Sequence, residues 1–436
     1  ITAVAVIAAP LIFRMYSLLT SSTVDADDYR NVGTLLARIF LVQIFFYGLN
    51  ALGSAVLNAR RRFFAAAWAP ALSNVAIILS LLLVPGTVQH RVPELTDVLT
   101  NSKLRWTLGL GATLGIAVMA IALVPALVQS KLRFRFTPNF HHPAVRSLWS
   151  LSGWALGYVV ANQVTIVVIR NLLRGGSGNE DAYTKAYTWF VLPHGLLAVS
   201  IATTFLPELA SAIKRKDRHG VLDRSSQGIR LIALVTLPAG LGLFVLRRAI
   251  VGAAFQHGKF TAANALNTSR ALAGFALGLV GFSVYLFVLR IFYAHQDART
   301  PFVVNAGENV LNILLALLFV DRWGVLGLGL SFGLAYLVAA AWALQVLHYK
   351  LPALPVGAVV ASIWRMALAG LVMIEVVWVV ARVVGSNTGT GAILRVVVGT
   401  VVGAAVYAAV LLLLRSPELE ELRNRFRPMS TEAVAE

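Results

Sequence analysis

Twelve long apolar segments separated by short polar links make up most of this chain. Each is about as long as an α-helix must be to cross a bilayer, roughly 20 residues, whereas a membrane β-barrel would show alternating runs of about 10 residues. The chain is 58% hydrophobic and only 13% charged, which leaves too few polar groups to cover a soluble fold. The sequence therefore predicts an all-α polytopic membrane protein. We place the segments at 1–19, 33–57, 64–84, 106–128, 147–170, 183–206, 230–246, 271–292, 302–320, 324–347, 363–384 and 392–414.

The links between these segments alternate in charge. Every second link is basic, as at Arg60–Arg62 and Lys214–Lys216, whereas Asp25–Asp28 represents the acidic or neutral alternate links. Because Lys and Arg collect on the cytoplasmic side, the first segment is predicted to run outward and the C-terminus to be cytoplasmic. The net charge of +18 is thus mainly an orientation signal that also meets anionic membrane lipids. No basic soluble module is present to bind nucleic acid, so we expect no nucleic-acid partner.

The sequence contains no recognisable set of catalytic residues. The chain has no Cys, its histidines lack the spacing of metal ligands on a helix, and it contains no Walker A sequence. We therefore expect neither an enzyme nor a metal site. The chain starts at Ile1 inside an apolar run, without an initiator Met, and we expect it to be a fragment truncated at its N-terminus.

Two stretches of the chain resemble each other. Arg61 precedes Asn74 by 13 residues, and Arg299 precedes Asn312 by 13 residues, each Asn lying in an aliphatic segment. The two stretches are six segments apart, as in a transporter built from two six-helix lobes. Chance similarity between apolar helices is the alternative.

Four motifs resemble the MviN/MurJ family. They are Phe255–Thr261 (FQHGKFT), Phe292–Pro301 (FYAHQDARTP), Leu57–Arg60 followed by Ala69–Asn74, and Leu192–Gly195 followed by Phe205–Pro207. They occur in the family's order and at the expected helix ends, and the similarity runs over essentially the whole chain. The richness in Ala, Val and Arg is similar to that of actinobacterial members.

This resemblance implies a lipid II flippase of the bacterial cytoplasmic membrane with the two-lobed, MATE-like architecture of the MOP superfamily. The twelve segments would then be helices three to fourteen of a fourteen-helix fold. Residues 1–130 would be the remainder of the N-terminal lobe and 145–350 the C-terminal six-helix lobe. Residues 360–415 would add two helices that form a groove for the lipid tail, and 416–436 a cytoplasmic tail. The family's cavity arginines on the first helix pair have no counterpart to assign here.

Lipid II joins a disaccharide-pentapeptide to a polyprenyl tail through pyrophosphate, so its transport needs a polar, cationic cavity. In the family a binding Arg lies five residues before the Pro of segment 183–206, a position that Thr188 occupies here. Lys185, one turn earlier, could supply the charge. Alternatively, it forms an i,i+4 pair with Asp181, worth about a few tenths of a kcal/mol.

Further intramembrane polar residues are candidates for the cavity, because such residues are costly in lipid unless they are paired or hydrated. Asn162 and Gln163 interrupt an apolar segment and either bond a neighbouring helix or line a cavity. By our boundaries Arg38 lies deeper in its segment than Arg290 and is the better cavity candidate of the two, while Arg170 is expected to snorkel to the interface.

Segment 302–320 is the most polar of the twelve. Asn305 pairs with Asn309, and Glu308 with Asn312, at i,i+4 spacing on one side of the helix. This set could bind Na⁺ or a proton and so couple transport to an ion gradient. The alternative is that Glu308 neutralises a buried cation such as Arg290.

We interpret the chain as a flippase that works by alternating access, driven by the membrane potential or by an ion, without an organic cofactor. Two rival functions are open: export of another polyprenyl-linked glycan or small molecule, and a non-transporting scaffold for cell-wall synthesis. Drug export predicts an acidic, aromatic cavity, whereas the candidate residues here are mostly basic or amide. Partners other than lipid II and membrane lipids would be proteins of cell-wall synthesis or division.

Overall fold

The computed structural model describes residues 1–84, 94–130 and 143–419, with side chains from residue 153 onward in the last range, and this part is almost entirely helical. The chain divides into two compact units. Unit 1 comprises Ile1–His142 with Arg174–Ser177, and unit 2 comprises Pro143–Leu173 with Gly178–Glu436. The basic residues Lys131, Arg133 and Arg135, which lie in the link between two predicted segments, and the predicted tail from residue 420 are outside the described residues.

Unit 1 is built on the packing of α5 (Phe63–Leu81) against α7 (Ser102–Ile121), with α4 (Gln43–Ala59) beside α7. Leu57, Ala69 and Leu123, each at most 1% exposed, are the centre of this small core. Gly175 returns from the later chain and bonds Ser21 and Leu19 through its backbone. The helices of unit 1 are α1 Thr2–Ile7, α2 Ala9–Tyr16, α3 Ala26–Leu41, α4 Gln43–Ala59, α5 Phe63–Leu81, α6 Leu95–Thr100, α7 Ser102–Ile121 and α8 Val124–Gln129.

Unit 2 carries the larger core. A π-helical segment, His194–Ala198, joins α10 (Asn179–Pro193) to α11 (Val199–Lys214). The buried His194 shares a hydrogen bond of 3.0 Å with Ser283. The helices of unit 2 are α9 Pro143–Leu172, α10 Asn179–Pro193, α11 Val199–Lys214, α12 Arg218–Phe255, α13 Ala262–Leu277, α14 Leu279–Ala294, α15 Arg299–Trp323, α16 Val325–Lys350, α17 Val356–Val383 and α18 Gly389–Leu413.

Within the described residues, ten helices or continuous helix pairs are long and apolar enough to span a membrane. The pair α13 and α14, bent by 49°, makes up to eleven. Eleven of the twelve predicted segments have such a counterpart. The exception is 1–19, which forms the two short helices α1 and α2. Pro10 explains the break, because it has no N–H to continue the hydrogen-bond ladder and sits in the first turn of α2.

Four helix ends share one turn geometry, in which the backbone N–H after a left-handed residue bonds the carbonyl five residues earlier. The left-handed residues are Arg61, Lys216, Gln296 and Arg415, with φ between 49° and 59°. Glycine usually takes this position. Here the three cations also favour the negative end of the helix dipole. Arg61 and Gln296 introduce α5 and α15, so the two stretches that resemble each other in sequence also follow the same turn.

Helices α13 and α16 cross at glycines. Gly274 and Gly278 on or beside α13 face Gly329 and Gly333 on α16, so that backbones touch where side chains would normally stand. A Cβ on Gly278 would lie 2.3 Å from the Cα of Gly333, and one on Gly329 would lie 2.5 Å from the carbonyl oxygen of Ala271. Small residues at four-residue spacing are a common means of close helix packing in lipid, where no hydrophobic effect drives association.

The chain after α18 is held by a buried carboxylate. Glu418, 1% exposed, accepts hydrogen bonds of 2.6 Å from the hydroxyls of Ser362 on α17 and Ser416, and one of 3.3 Å from Arg230 on α12. Burial raises the pKa of Glu418, but these hydrogen bonds and the Arg230 charge outweigh it and hold the pKa below its usual value. We name this set the Glu418 lock.

We expect Gly333→Ala to destabilise the protein by about 1–3 kcal/mol, because the new methyl would lie 2.7 Å from the Gly274 carbonyl oxygen. The control is Gly242→Ala on α12, where nothing lies within 4 Å of the added Cβ. That variant should be neutral or slightly stabilising, since alanine favours a helix. Thermal unfolding in detergent measures both, and equal midpoints for the two variants would contradict the close crossing.

Candidate functional site

A cavity of about 280 Å³ lies inside unit 2, bounded by α9, α10, α15 and α16. We name it the polar cavity. Its wall combines carboxylate, amide, hydroxyl and aromatic groups with one guanidinium. The lining residues are Asn162, Thr165, Ile166, Ile169 and Arg170 from α9, Tyr183, Thr184 and Tyr187 from α10, Glu308, Asn309 and Asn312 from α15, and Phe332 and Tyr336 from α16.

One face of α15 supplies the acidic and amide groups. Asn305, Glu308, Asn309 and Asn312 are spaced by three or four residues, which places them on one side of a helix. All four are at most 4% exposed. The polar face predicted from the sequence therefore points into the unit and not towards lipid.

Asn162 joins α9 to this face. Its Nδ2 donates to the carbonyl oxygen of Tyr158 at 2.7 Å and to Oδ1 of Asn305 at 3.0 Å. Asn309 in turn donates to the backbone oxygen of Asn305 at 2.9 Å. The two roles considered for Asn162, bonding a neighbouring helix and lining a cavity, are therefore both realised.

Glu308 stands out because neither carboxylate oxygen has a hydrogen-bond partner among the described residues, although the side chain is 2% exposed. Asn312 Oδ1 is unpartnered in the same part of the chain. The alternative, a salt bridge between Glu308 and Arg290, is not formed among the described residues. A carboxyl group so placed must be protonated, hydrated or bound to a cation, because an isolated charge is costly there.

Oxygen donors of this kind suit a hard cation. No cluster of three or more acidic, His or Cys residues that could hold a metal ion occurs in the described chain. With one carboxylate, the polar cavity fits a monovalent charge, Na⁺ or a proton, better than a divalent metal.

Aromatic side chains from α10 and α16 form another part of the cavity wall, and we did not predict them from the sequence. Tyr187 packs edge-on against Phe332 with ring centroids 5.8 Å apart, and Phe332 lies 4.5 Å from Tyr336. The signal was present in the sequence: Tyr183 and Tyr187 on one segment, and Phe332 and Tyr336 on another, each stand four residues apart and so share a helix face.

Arg170 lies at one end of the polar cavity, in the last turn of α9. It forms a salt bridge with Glu180 at the start of α10. We expected Arg170 only to snorkel to the interface and did not predict its partner, Glu180, which holds the guanidinium in position.

The other predicted site residues do not line the polar cavity. Lys185 pairs with Asp181, as the i,i+4 alternative proposed, and its Nζ sits 5.3 Å from the ring centre of Phe260, outside the lining of the polar cavity. Thr188 is exposed and donates to the Thr184 carbonyl at 3.0 Å. Gln163 is exposed on α9, and Arg38 is exposed in the last turn of α3 in unit 1.

An apolar cavity of about 480 Å³ lies between α12, α17 and α18. It is lined almost wholly by aliphatic side chains, among them Leu243, Leu246 and Val377, with Tyr407 at its wall. This is the region that the resemblance assigned to the lipid tail. Glu375 forms a salt bridge with neither Arg382 nor Arg395 in the described part of the chain, where Arg382 stacks on Trp378.

Comparisons with known proteins point to one family. A family model described as lipid II flippase MurJ matches residues 1–399. The chain is 30% identical over 304 residues to the lipid II flippase MurJ of Burkholderia cenocepacia, covering 68% of this chain and 56% of that protein. It is 28% identical over 337 residues to the probable lipid II flippase MurJ of Rhizobium tropici, covering 77% and 61%. The chain thus spans less than two thirds of the length of these relatives.

Solved structures show the same fold. A lipid II flippase MurJ in an inward closed conformation matches with a TM-score of 0.73 at 20% identity, covering 95% of this chain and 80% of that one. An inward-facing MATE family transporter of the MOP superfamily matches with a TM-score of 0.64 at 15% identity, covering 81% and 78%. The predicted MATE-like fold is therefore confirmed.

We expect Asn162→Ala to destabilise the protein by about 0.5–2 kcal/mol, because it removes the bond to Asn305 that joins α9 to α15. Gln163→Ala provides the control: it removes a neighbouring amide whose side chain is exposed, and it should change stability by less than about 0.5 kcal/mol. The free energy of unfolding in detergent distinguishes the two. Equal losses would show that the Asn162–Asn305 bond contributes no stability.

Proposed function

Because the chain belongs to the MurJ family of lipid II flippases, we propose that this multi-pass membrane protein moves lipid II from the inner to the outer leaflet of the bacterial cytoplasmic membrane. Transport, and not catalysis, is the proposed activity, and lipid II is the proposed substrate. The proposal also places residues 1–130 in an N-terminal lobe, 145–350 in a C-terminal lobe and the C-terminus in the cytoplasm. The family match over residues 1–399 is the observation that supports it.

The polar cavity is proposed as the site that couples transport to an ion. Pockets for drug-sized ligands occupy roughly 300–1,000 Å³, and a disaccharide-pentapeptide is larger than such a ligand. A cavity of about 280 Å³ is therefore too small for the head group of lipid II. We keep Lys185, Thr188, Gln163 and Arg38, which lie outside it, as proposed head-group contacts. The cavity residues Asn162, Glu308, Asn309 and Asn312 are better suited to an ion.

The unpartnered Glu308 carboxylate supports this role most directly. When no ion is bound, the Glu308 carboxylate is ionised. It then favours a conformation that admits water to the polar cavity, because hydration offsets the cost of its charge. When Na⁺ or a proton binds the carboxylate, the charge of Glu308 is neutralised and a closed, dry cavity becomes favourable. An ion that binds the two conformations with different affinity shifts the equilibrium between them by that difference. Asn162 would transmit the change, since it bonds α9 to the α15 face next to Glu308.

Export of a small organic cation is the second candidate function. The wall of Tyr183, Tyr187, Phe332 and Tyr336 with a single carboxylate matches the acidic, aromatic cavity expected of such an exporter. Family membership favours the flippase. The two functions differ in whether outward exposure of lipid II depends on this protein.

The flippase proposal is tested with the full-length protein as the sole flippase of a conditional bacterial strain. Lipid II exposed on the outer membrane face should collapse on depletion and return with the unaltered protein. Glu308→Gln should restore about tenfold less exposure, because an amide cannot change charge on ion binding. Glu375→Gln, which alters an exposed glutamate on α17, should restore exposure fully. Undiminished exposure after depletion would exclude the flippase function.

The identity of the ion is tested in proteoliposomes by imposing a Na⁺ gradient at constant pH, and then a pH gradient at constant Na⁺. We expect one of the two gradients to accelerate transport by the unaltered protein and to have no effect on Glu308→Gln. If the unaltered protein flips lipid II equally fast under both gradients and without either, the coupling role of Glu308 is wrong while the flippase function stands.

A further inference from the structure

A second charged cavity, of about 410 Å³, lies at the end of α12 and α17 remote from the Glu418 lock. Four arginines contribute to its lining, Arg247, Arg248, Arg382 and Arg395, and no acidic residue does. Along α12, Arg247 is roughly 25 Å from Arg230 of the lock at 1.5 Å per residue. We name this site the arginine cavity.

The arginines are positioned by aromatic rings and carbonyl groups. The Arg382 guanidinium lies 3.5 Å from the ring centre of Trp378, and that of Arg247 lies 4.8 Å from the ring centre of Phe244. Arg395 donates to the carbonyl oxygens of Val384 and Gly385 and to Oδ1 of Asn387, at 2.6–2.9 Å. These bonds use three of its five N–H groups and leave two for another acceptor.

None of the four arginines forms a salt bridge with an acidic residue in the described ranges of the chain. Like charges around one cavity repel each other, and the repulsion grows as water is replaced by lipid or protein. A bound anion would remove this cost. The guanidinium group matches the phosphate group in particular, because two parallel N–H groups can bind two phosphate oxygens.

The surroundings indicate that such a phosphate belongs to a lipid. Trp378, beneath Arg382, is 44% exposed, and tryptophan is enriched where hydrocarbon meets the headgroups. The arginines lie near the ends of membrane-spanning helices, at Arg248 of α12, which ends at Phe255, and at Arg382 of α17, which ends at Val383. A phosphate bound there would be level with the headgroups of one leaflet.

We propose that the arginine cavity binds the phosphate headgroup of an anionic bilayer lipid. The lipid is a resident ligand and not the transported molecule, so the inference does not rest on the proposed flippase activity. If the C-terminus is cytoplasmic, the bound lipid belongs to the outer leaflet, on the side where Lys and Arg are otherwise scarce. The four arginines would then be retained there against the usual charge bias because they hold this lipid.

The test is native mass spectrometry of the full-length protein, titrated in detergent with phosphatidylglycerol or with phosphatidylcholine of the same acyl chains. We expect phosphatidylglycerol to be retained preferentially. The double variant Arg248→Gln and Arg382→Gln should weaken its retention by about tenfold or more. This variant leaves Arg395, which holds the loop after α17, in place. Size-exclusion profile and thermal midpoint establish that it is folded.

The control is Lys214→Gln with Arg218→Gln, which removes the same charge from exposed residues near the other end of α12 and should leave retention unchanged. Equal loss in this control, or equal retention of the two lipids by the unaltered protein, would overturn the proposal in favour of general attraction. A third arm adds inorganic phosphate. Displacement of phosphatidylglycerol by phosphate at the same concentration would assign the arginine cavity to a free anion, and the lipid would be rejected.

Discussion

The structure depends on a constraint that lipid imposes: a polar group within a membrane-spanning helix must find its partner inside the protein. The polar face of α15 meets this constraint by turning inward, where Asn305 binds Asn162 of α9 and Asn309 binds the backbone of its own helix. These bonds fix how α9 and α15 pack. They also single out Glu308, whose carboxylate is buried beside them and has no such partner in the described chain. On this face both Glu308 carboxylate oxygens, Asn305 Nδ2 and Asn312 Oδ1 have no hydrogen-bond partner in the described chain.

The polar cavity and the arginine cavity of unit 2 both combine charged groups with aromatic rings. The polar cavity is lined by a carboxylate together with tyrosine and phenylalanine rings, while in the arginine cavity guanidinium groups stack on Trp378 and Phe244. The negative face of an aromatic ring attracts a cation, so the rings stabilise the guanidinium groups of the arginine cavity and would attract a cation bound in the polar cavity. The sign of the charge then determines the ligand, a cation in one cavity and an anionic phosphate in the other. Elsewhere in the unit the glycine crossing of α13 and α16 keeps the helices close.

The lengths of the apolar segments predicted the helical membrane fold well, because segment length is a local property of the chain. The polar face of α15 was also readable, since four polar residues at helical spacing in an apolar segment have few other interpretations. What the sequence did not contain was the partner of each residue. Lys185 was one candidate for a cavity cation, but its side chain lies over Phe260, which is 75 residues away in the chain. The break at Pro10 was missed because overall hydropathy outweighs one proline in a segment as apolar as 1–19. The aromatic wall joins two helices far apart in sequence, and only the tertiary packing brings them together.

The Glu418 lock has a consequence for the order in which the protein is assembled. Arg230 and Ser362 are made 188 and 56 residues before the carboxylate that binds them. During synthesis, α13 to α18 therefore leave the ribosome while Arg230 still lacks this partner. A bond that closes only after α18 is complete joins α12, α17 and the segment that follows α18. Until it closes, Arg230 lacks this carboxylate, so a chain that stops before residue 418, or inserts α17 in the wrong direction, would leave the cation without it.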